Sequence, residues 1–370
     1  MANAQFRVYV DGQPASEEQL ASFARIRIEQ AIGMAAAAEL ELSLLPDEAG
    51  EWSGFDDPAA QPFARVRIEV LVGDADFVPL LDGPVVGQRF ELEAAPDASR
   101  LVVVVHDDSV LLDRDEKVAV FENVGLAELV RDLIEAPGLE ARIAAGLPDA
   151  ASAVDRFVVQ RGTNMQTLRA LARRFGMFVY VEPGDEPGRS VGVFEAATPR
   201  DDALPDLVLL GDDRNIATFS AEFDALRPQA AKAGTVRAID KEALGGTAAS
   251  ASEPALGQDA AHAIVAPALT LLSQTREEQS DLDAAAAAVV DVSSWAFTAR
   301  GEVDADLYAG VLRPYRKLTV VGVGPQLSGD YMVARVLHEI DDDGYRQRFS
   351  LTRNARSAGA TPGNPLSGVF

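Results

Sequence analysis

The sequence contains no cysteine. That removes disulfides, thiolate metal sites and cysteine nucleophiles, and with them any disulfide-stapled secreted scaffold. Basic charge is scarce: Lys and Arg number 33 against 58 Asp and Glu, a formal net charge of −25. The chain therefore lacks the basic footprint that non-specific nucleic-acid binding or adhesion to anionic lipid requires, and no nucleic-acid partner is expected. No apolar run approaches the roughly 18 residues of a membrane span. The opening MANAQFRVYVDG lacks the basic region and apolar core of a signal peptide. Direct membrane insertion is not expected, whereas synthesis and folding in a cytoplasm are. Histidine is also rare: His106, His262 and His338 are scattered with no HxH or HExxH spacing, so satisfied or exposed histidines are expected rather than metal ligands.

What remains is an ordinary globular composition, 48% hydrophobic and 25% charged over 370 residues. At about 100 to 200 residues per domain this length predicts two to four domains. The first third is rich in strand signals. Phe6, Val8 and Val10 alternate with Arg7 and Tyr9 before the turn pair Asp11-Gly12, and Val66, Ile68, Val70 and Val72 give a period of two. Similar runs occupy 22–29, 38–45, 76–93 and 100–106, which suits an antiparallel barrel or sandwich.

The period then changes. Leu126, Leu129, Val130, Leu133 and Ile134 follow helical spacing and stop before Pro137. A second helix is expected from Thr163 or Asn164 to Phe175, with Gly176 as its terminator. Strands at 177–182 and 190–196 complete a small α+β insert. Strands return at 207–210, 216–224 and 233–240. Residues 242–275, rich in Ala, Gly, Ser and Pro, predict a long loop. Asp281–Val292 is expected to be helical, and strands follow at 317–323, 331–340 and 345–352. The tail 355–370 has few apolar anchors and is expected to be flexible.

A search for chemistry finds little. Gly324 and Gly329 have the outer spacing of a phosphate loop, but Asp330 and Tyr331 stand where Lys and Ser/Thr belong, so a hairpin turn is expected. Asp341–Asp343 lacks the alternating ligands of an EF-hand loop and predicts a solvated turn ended by Gly344. No Gly-x-Ser-x-Gly elbow occurs, and the abundant carboxylates single out no catalytic pair. No catalytic residue, cofactor or metal is expected.

Four collinear segments resemble the phage late control D and baseplate hub family, the gp27-like part of contractile tails, injection systems and type VI secretion spikes. They are Leu101–Asp113 with Val120–Val124 and the helix at 126; Gln160–Val181; Asn215–Phe223 with Ala233–Asp240; and Leu312–Pro314 with Gly322–His338 and Gly344–Arg353. The resemblance spans about residues 5–354. It implies a mainly β fold in which two tube-protein-like antiparallel β-barrels, 1–115 and 204–354, flank the α+β insert at 116–203 and share one fold. Tyr331, Val333, Val336, Tyr345 and Phe349 would then be barrel packing residues, and Gly329 and Gly344 turn residues.

By the same resemblance the chain would be a non-enzymatic hub. It would form a homotrimer that joins a hexameric inner tube protein to a trimeric spike and meets other baseplate components, in a particle released from or retained in a bacterial cell. No spike segment follows the second barrel, so a separate spike protein is expected, with the tail ending in Val369 and Phe370 ordering against it. Two alternatives stand beside this reading. Val159–Asn164 and the helix after it resemble a LysM-like peptidoglycan-binding segment, and a β-rich hydrolase would use an unrecognised carboxylate pair.

Overall fold

The computed structural model describes residues 4–356 apart from 47–49, 51, 53, 55, 74–75, 96–97, 123, 146, 148–156, 238–239 and 274–278. The chain is mainly β. Its first segment runs β1 (Gln5–Val10), β2 (Gln13–Pro14), α1 (Glu17–Ser22), β3 (Phe23–Ala31), β4 (Ala37–Ser43), β5 (Arg65–Leu71), β6 (Val78–Glu91) and β7 (Arg100–His106). Alternation dictates which side of each strand is buried. Ile26, Ile28, Leu40, Leu42, Ile68, Val70, Leu101 and Val103 all enter one core, although β3 and β1 lie at opposite ends of the strand order β3-β4-β7-β6-β5-β1. A sheet whose ends share a core must curl around it. β6 makes the corner: residues 78–84 pair with β5 and 85–91 with β7, with a register shift between Val85 and Gly87.

The insert comprises α2 (Ser109–Leu112), β8 (Lys117–Glu122), α3 (Leu126–Glu135), β9 (Glu140–Ile143), β10 (Phe157–Gly162), α4 (Asn164–Phe175), β11 (Met177–Pro183) and β12 (Ser190–Ala196). The expected helices form where the periodicity places them. Thr163 caps α4 with a reciprocal Gln166 contact, and Gly176 ends it at φ 64°. Leu129, Val130, Leu133, Leu168 and Phe194 make a separate core.

The last segment contains β13 (Leu207–Val208), β14 (Phe219–Phe223), β15 (Gln229–Val236), β16 (Ala243–Ala248), β17 (Asp259–Ala260), α5 (Ala261–Ile264), β18 (Ala268–Ser273), α6 (Gln279–Ser294), β19 (Phe297–Asp304), β20 (Lys317–Val321), β21 (Gly329–Asp341), β22 (Gly344–Arg353) and β23 (Ala355–Arg356). Its main core gathers Leu207, Ala299, Leu318, Tyr331, Val333, Val336, Phe349 and Leu351. The two β segments are not separate sheets. β21 pairs with β22 on one side and β3 on the other, so one 13-stranded sheet runs through both.

Two expectations are corrected. Residues 242–275 are not a long structureless loop, because they contain β16, β17, α5 and β18. Their small residues serve close packing: a Cβ on Gly246 would meet the Leu282 backbone at 2.8 Å, so the sheet carries glycine and alanine where α6 lies on it. The tail is not free from residue 355. Ala355 and Arg356 pair with Ala260 and Asp259, and Arg356 Nε lies 3.2 Å from an Asp259 carboxylate oxygen. The remainder of the tail, with Val369 and Phe370, lies outside the described residues.

Candidate assembly surface

The junction of the two β segments is built on β21. Beyond the register shift between Val333 and Arg335, one face of this strand presents Val336, His338 and Ile340 in turn. Val336 belongs to the second core and Ile340 to the first. His338, fully buried, stands between them. Gln30 of β3 donates from Nε2 to the Leu80 carbonyl at 2.6 Å, which turns its Oε1 toward His338 Nε2 at 3.2 Å. His338 Nε2 is therefore the protonated nitrogen, and Nδ1 accepts from the Tyr345 hydroxyl at 2.7 Å. Burial, with repulsion from Arg313, pushes the imidazole down to about 3. The relay is neutral and fully partnered, which is how a buried polar group avoids its desolvation cost.

Two arginine clusters fix the insert against the sheet. Arg67 of β5, 2% exposed, donates to Glu69 at 2.7 Å, Asp82 at 3.2 Å and the Gly184 carbonyl at 2.8 Å. Arg65 reaches Asp82 at 2.8 Å and also Asp108, while the Gly188 N–H donates to Asp82 at 2.9 Å. The turn between β11 and β12 thus sits on a face of β5 that alternation alone predicts to be solvated. In the second cluster, Glu182 of β11 receives Arg142, Arg200 and Arg316. Asp202 receives Arg313 and Arg316. Burial pushes the Glu182 carboxyl up, but Arg316 and Arg142 outweigh it and hold it below its ordinary range. Beside this cluster Tyr180 and Tyr315 stack with centroids 3.8 Å apart, and the Gly33 N–H donates to the Tyr315 hydroxyl at 2.8 Å.

The outward face of the continuous sheet differs in kind. Positions that alternate with the core carry opposed charges in neighbouring strands: Arg348 of β22 with Glu302 of β19 at 2.6 Å and Glu339 of β21 at 3.0 Å. Across the junction, Arg27 of β3 lies 3.3 Å from Glu339, and Arg335 of β21 lies 2.8 Å from Glu29. The ladder continues through Arg25 and Glu41 at 3.6 Å and through Arg89 and Glu39 at 3.4 Å, ending at Arg100 and Glu91. The pairs exposed at both ends contribute about 0–1 kcal/mol each, whereas Glu339 is buried beneath Arg27 and Arg348. Their continuity matters more than their strength, because it makes one polar surface from both β segments.

The residues singled out from sequence fall in two places. Tyr331, Val333, Val336 and Phe349 are buried in the second core, whereas Tyr345 is buried in the first. Gly329 at φ 126° opens β21, and Gly344 at φ 120° opens β22 after the acidic turn. The Gly324–Ser328 turn is closed by backbone bonds from Leu327 and Ser328 to the Gly324 carbonyl. Buried Arg353 donates to the Gln326, Leu327 and Ser328 carbonyls at 3.2–3.3 Å and lies 4.9 Å over the Tyr331 ring. The junction relay and the outward ladder were missed: each depends on β21 pairing with a strand about 300 residues away, which local periodicity does not report. Among the described residues no group of three or more His, Asp or Glu could hold a metal ion, and no helix is long and apolar enough to cross a membrane.

This architecture is that of phage tail proteins. A 43 kDa tail protein of prophage MuSo2 from Shewanella oneidensis aligns with a TM-score of 0.65 at 15% identity, over 94% of this chain and 98% of its own. A tail protein from Neisseria meningitidis MC58 gives 0.63 at 14% identity, over 95% and 97%. The E. coli c3393 protein, described as a type VI secretion component structurally similar to the T4 tail proteins gp27 and gp5, gives 0.55 at 9% identity, over 97% and 79%. The gp27-like resemblance thus extends along the whole fold, and none of these names describes an enzyme. By sequence the chain belongs to the family described as the Alg8 N-terminal domain, whose family model matches residues 1–342. No curated protein matches it.

Proposed function

We propose that the protein is a non-enzymatic baseplate hub of a contractile tail or injection system, which joins an inner tube to a spike as a homotrimer. The observation that supports this most is the single sheet running through two cores, with its ladder of opposed charges crossing the junction. Three such subunits would offer six β segments to a hexameric tube ring, which reconciles six-fold with three-fold symmetry under closed packing. On this reading 1–115 and 204–354 are the tube-facing units and 116–203 the insert that holds them in register. The particle would be made in a bacterial cytoplasm and engage other baseplate components.

The ladder is the proposed tube-facing surface, because alternating charges set register and exclude wrong partners more than they add affinity. The test is charge reversal at Arg335→Glu and Arg348→Glu, both about half exposed. Thermal unfolding should fall only slightly, since both arginines are half exposed and buried Glu339 keeps Arg27, whereas co-sedimentation with polymerised tube protein should be lost. Retained co-sedimentation would reject this surface.

A further inference from the structure

A groove of about 810 Å³ lies outside the sheet junction, in the angle between the insert and the α6 layer. This is at the upper end of the ~300–1,000 Å³ range of ligand pockets. Its wall includes both Val158 and Val159 of β10. Consecutive strand residues point to opposite faces, so a groove bordered by both runs along the edge of the strand and not over one face. β10 is hydrogen-bonded to β8 on its other side, and no β8 residue lines the groove. Among the described residues the backbone of 157–162 has no other strand partner. The groove therefore opens onto an edge of β10 that is unpaired among the described residues.

Apolar side chains line the groove floor between the helices, Ala170 and Leu171 from α4 and Ala285 and Val289 from α6, with Gln166 and Thr167 of α4 beside them. The two helices are pressed together here, since a Cβ on Gly176 would lie 3.3 Å from that of Ala288. The rim is cationic. Arg161 and Arg173 line it, both are exposed, and neither makes an ion pair among the described residues. In a chain of net charge −25, two exposed arginines on one groove with no carboxylate partner among the described residues are a local inversion of sign. Neither the junction nor the outward ladder uses them.

We infer that the free edge of β10 is a docking site for an extended acidic segment of a partner protein, which adds to the β8–β10 ribbon as a third strand. Backbone groups of the segment satisfy the unpaired groups of β10, as in strand addition to other exposed sheet edges. Alternate apolar side chains enter the floor between α4 and α6, and the intervening carboxylates meet Arg161 and Arg173. The site is independent of the tube-facing ladder, so its failure would leave the hub reading intact.

The test uses the full chain and two fluorescein-labelled octapeptides, one alternating Val with Glu and one alternating Val with Lys. Fluorescence anisotropy should show binding of the Val/Glu peptide, with the Val/Lys peptide at least about tenfold weaker. The double variant Arg161→Glu, Arg173→Glu should reverse that preference, and both positions are exposed enough for the fold to survive. Hydrogen exchange should slow at the amides of 157–162 when the Val/Glu peptide is added. No binding, equal binding of both peptides, an unchanged preference in the double variant, or protection elsewhere without protection of β10 would each overturn the proposal.

Discussion

Arg67 and His338 are the two side chains whose removal should be felt furthest from their own positions. Arg67 neutralises Glu69 and Asp82 inside the structure and holds the β11–β12 turn through main-chain carbonyls. Arg67→Ala would leave buried Glu69 without its ion-pair partner and Asp82 with only Arg65 and the Gly188 N–H. Its expected cost is about 3–5 kcal/mol, measurable by urea unfolding. His338 makes acid stability a property of the junction. Its folded value near 3 lies below its ordinary 6.5, so the unfolded chain binds the additional proton. Stability contributed by the neutral imidazole is therefore present above about 6.5 and is lost as pH falls toward 3. Asp107 acts in the opposite direction: burial raises it to about 6 from 3.8, and stability falls as pH rises through that window. His338→Gln should flatten the acid limb of a stability profile between pH 6.5 and 3.5, a change that chemical denaturation at stepped pH would detect.

At the scale of elements, the strongly periodic pieces were legible and the small-residue pieces were not. Leu126–Glu135 forms the helix its apolar spacing predicts, and α4 has the expected Thr163 cap and Gly176 terminator. The expected strand at 233–240 instead spans Gln229–Val236, because its register is set by parallel pairing with β18, from Gln229 opposite Ala268. β19 escaped notice since Ala299, Arg300 and Gly301 interrupt its strand signal, and Gly301 is needed where Phe349 and the Thr218 carbonyl approach. β16 escaped for a related reason. Gly246 faces the α6 backbone so closely that Gly246→Ala must push helix and sheet apart. Overpacking of this kind should cost about 1–3 kcal/mol in equilibrium unfolding. A variant of unchanged stability would show that α6 does not press on this sheet.

For the whole molecule, what local pattern could not supply was the pairing of β21 with β3. The resemblance in sequence pointed to two tube-like units, but the polar surface that joins them arises only when Arg335 meets Glu29 and Arg27 meets Glu339. The proposed hub role needs such a surface to face a symmetric partner as one body. Copy number on the tube tests this most directly. Cryo-electron microscopy of the purified chain bound to rings of its tube protein should show three copies on each hexameric ring, every copy spanning two tube subunits with its two β segments. Six copies per ring, one per tube subunit, would contradict the account.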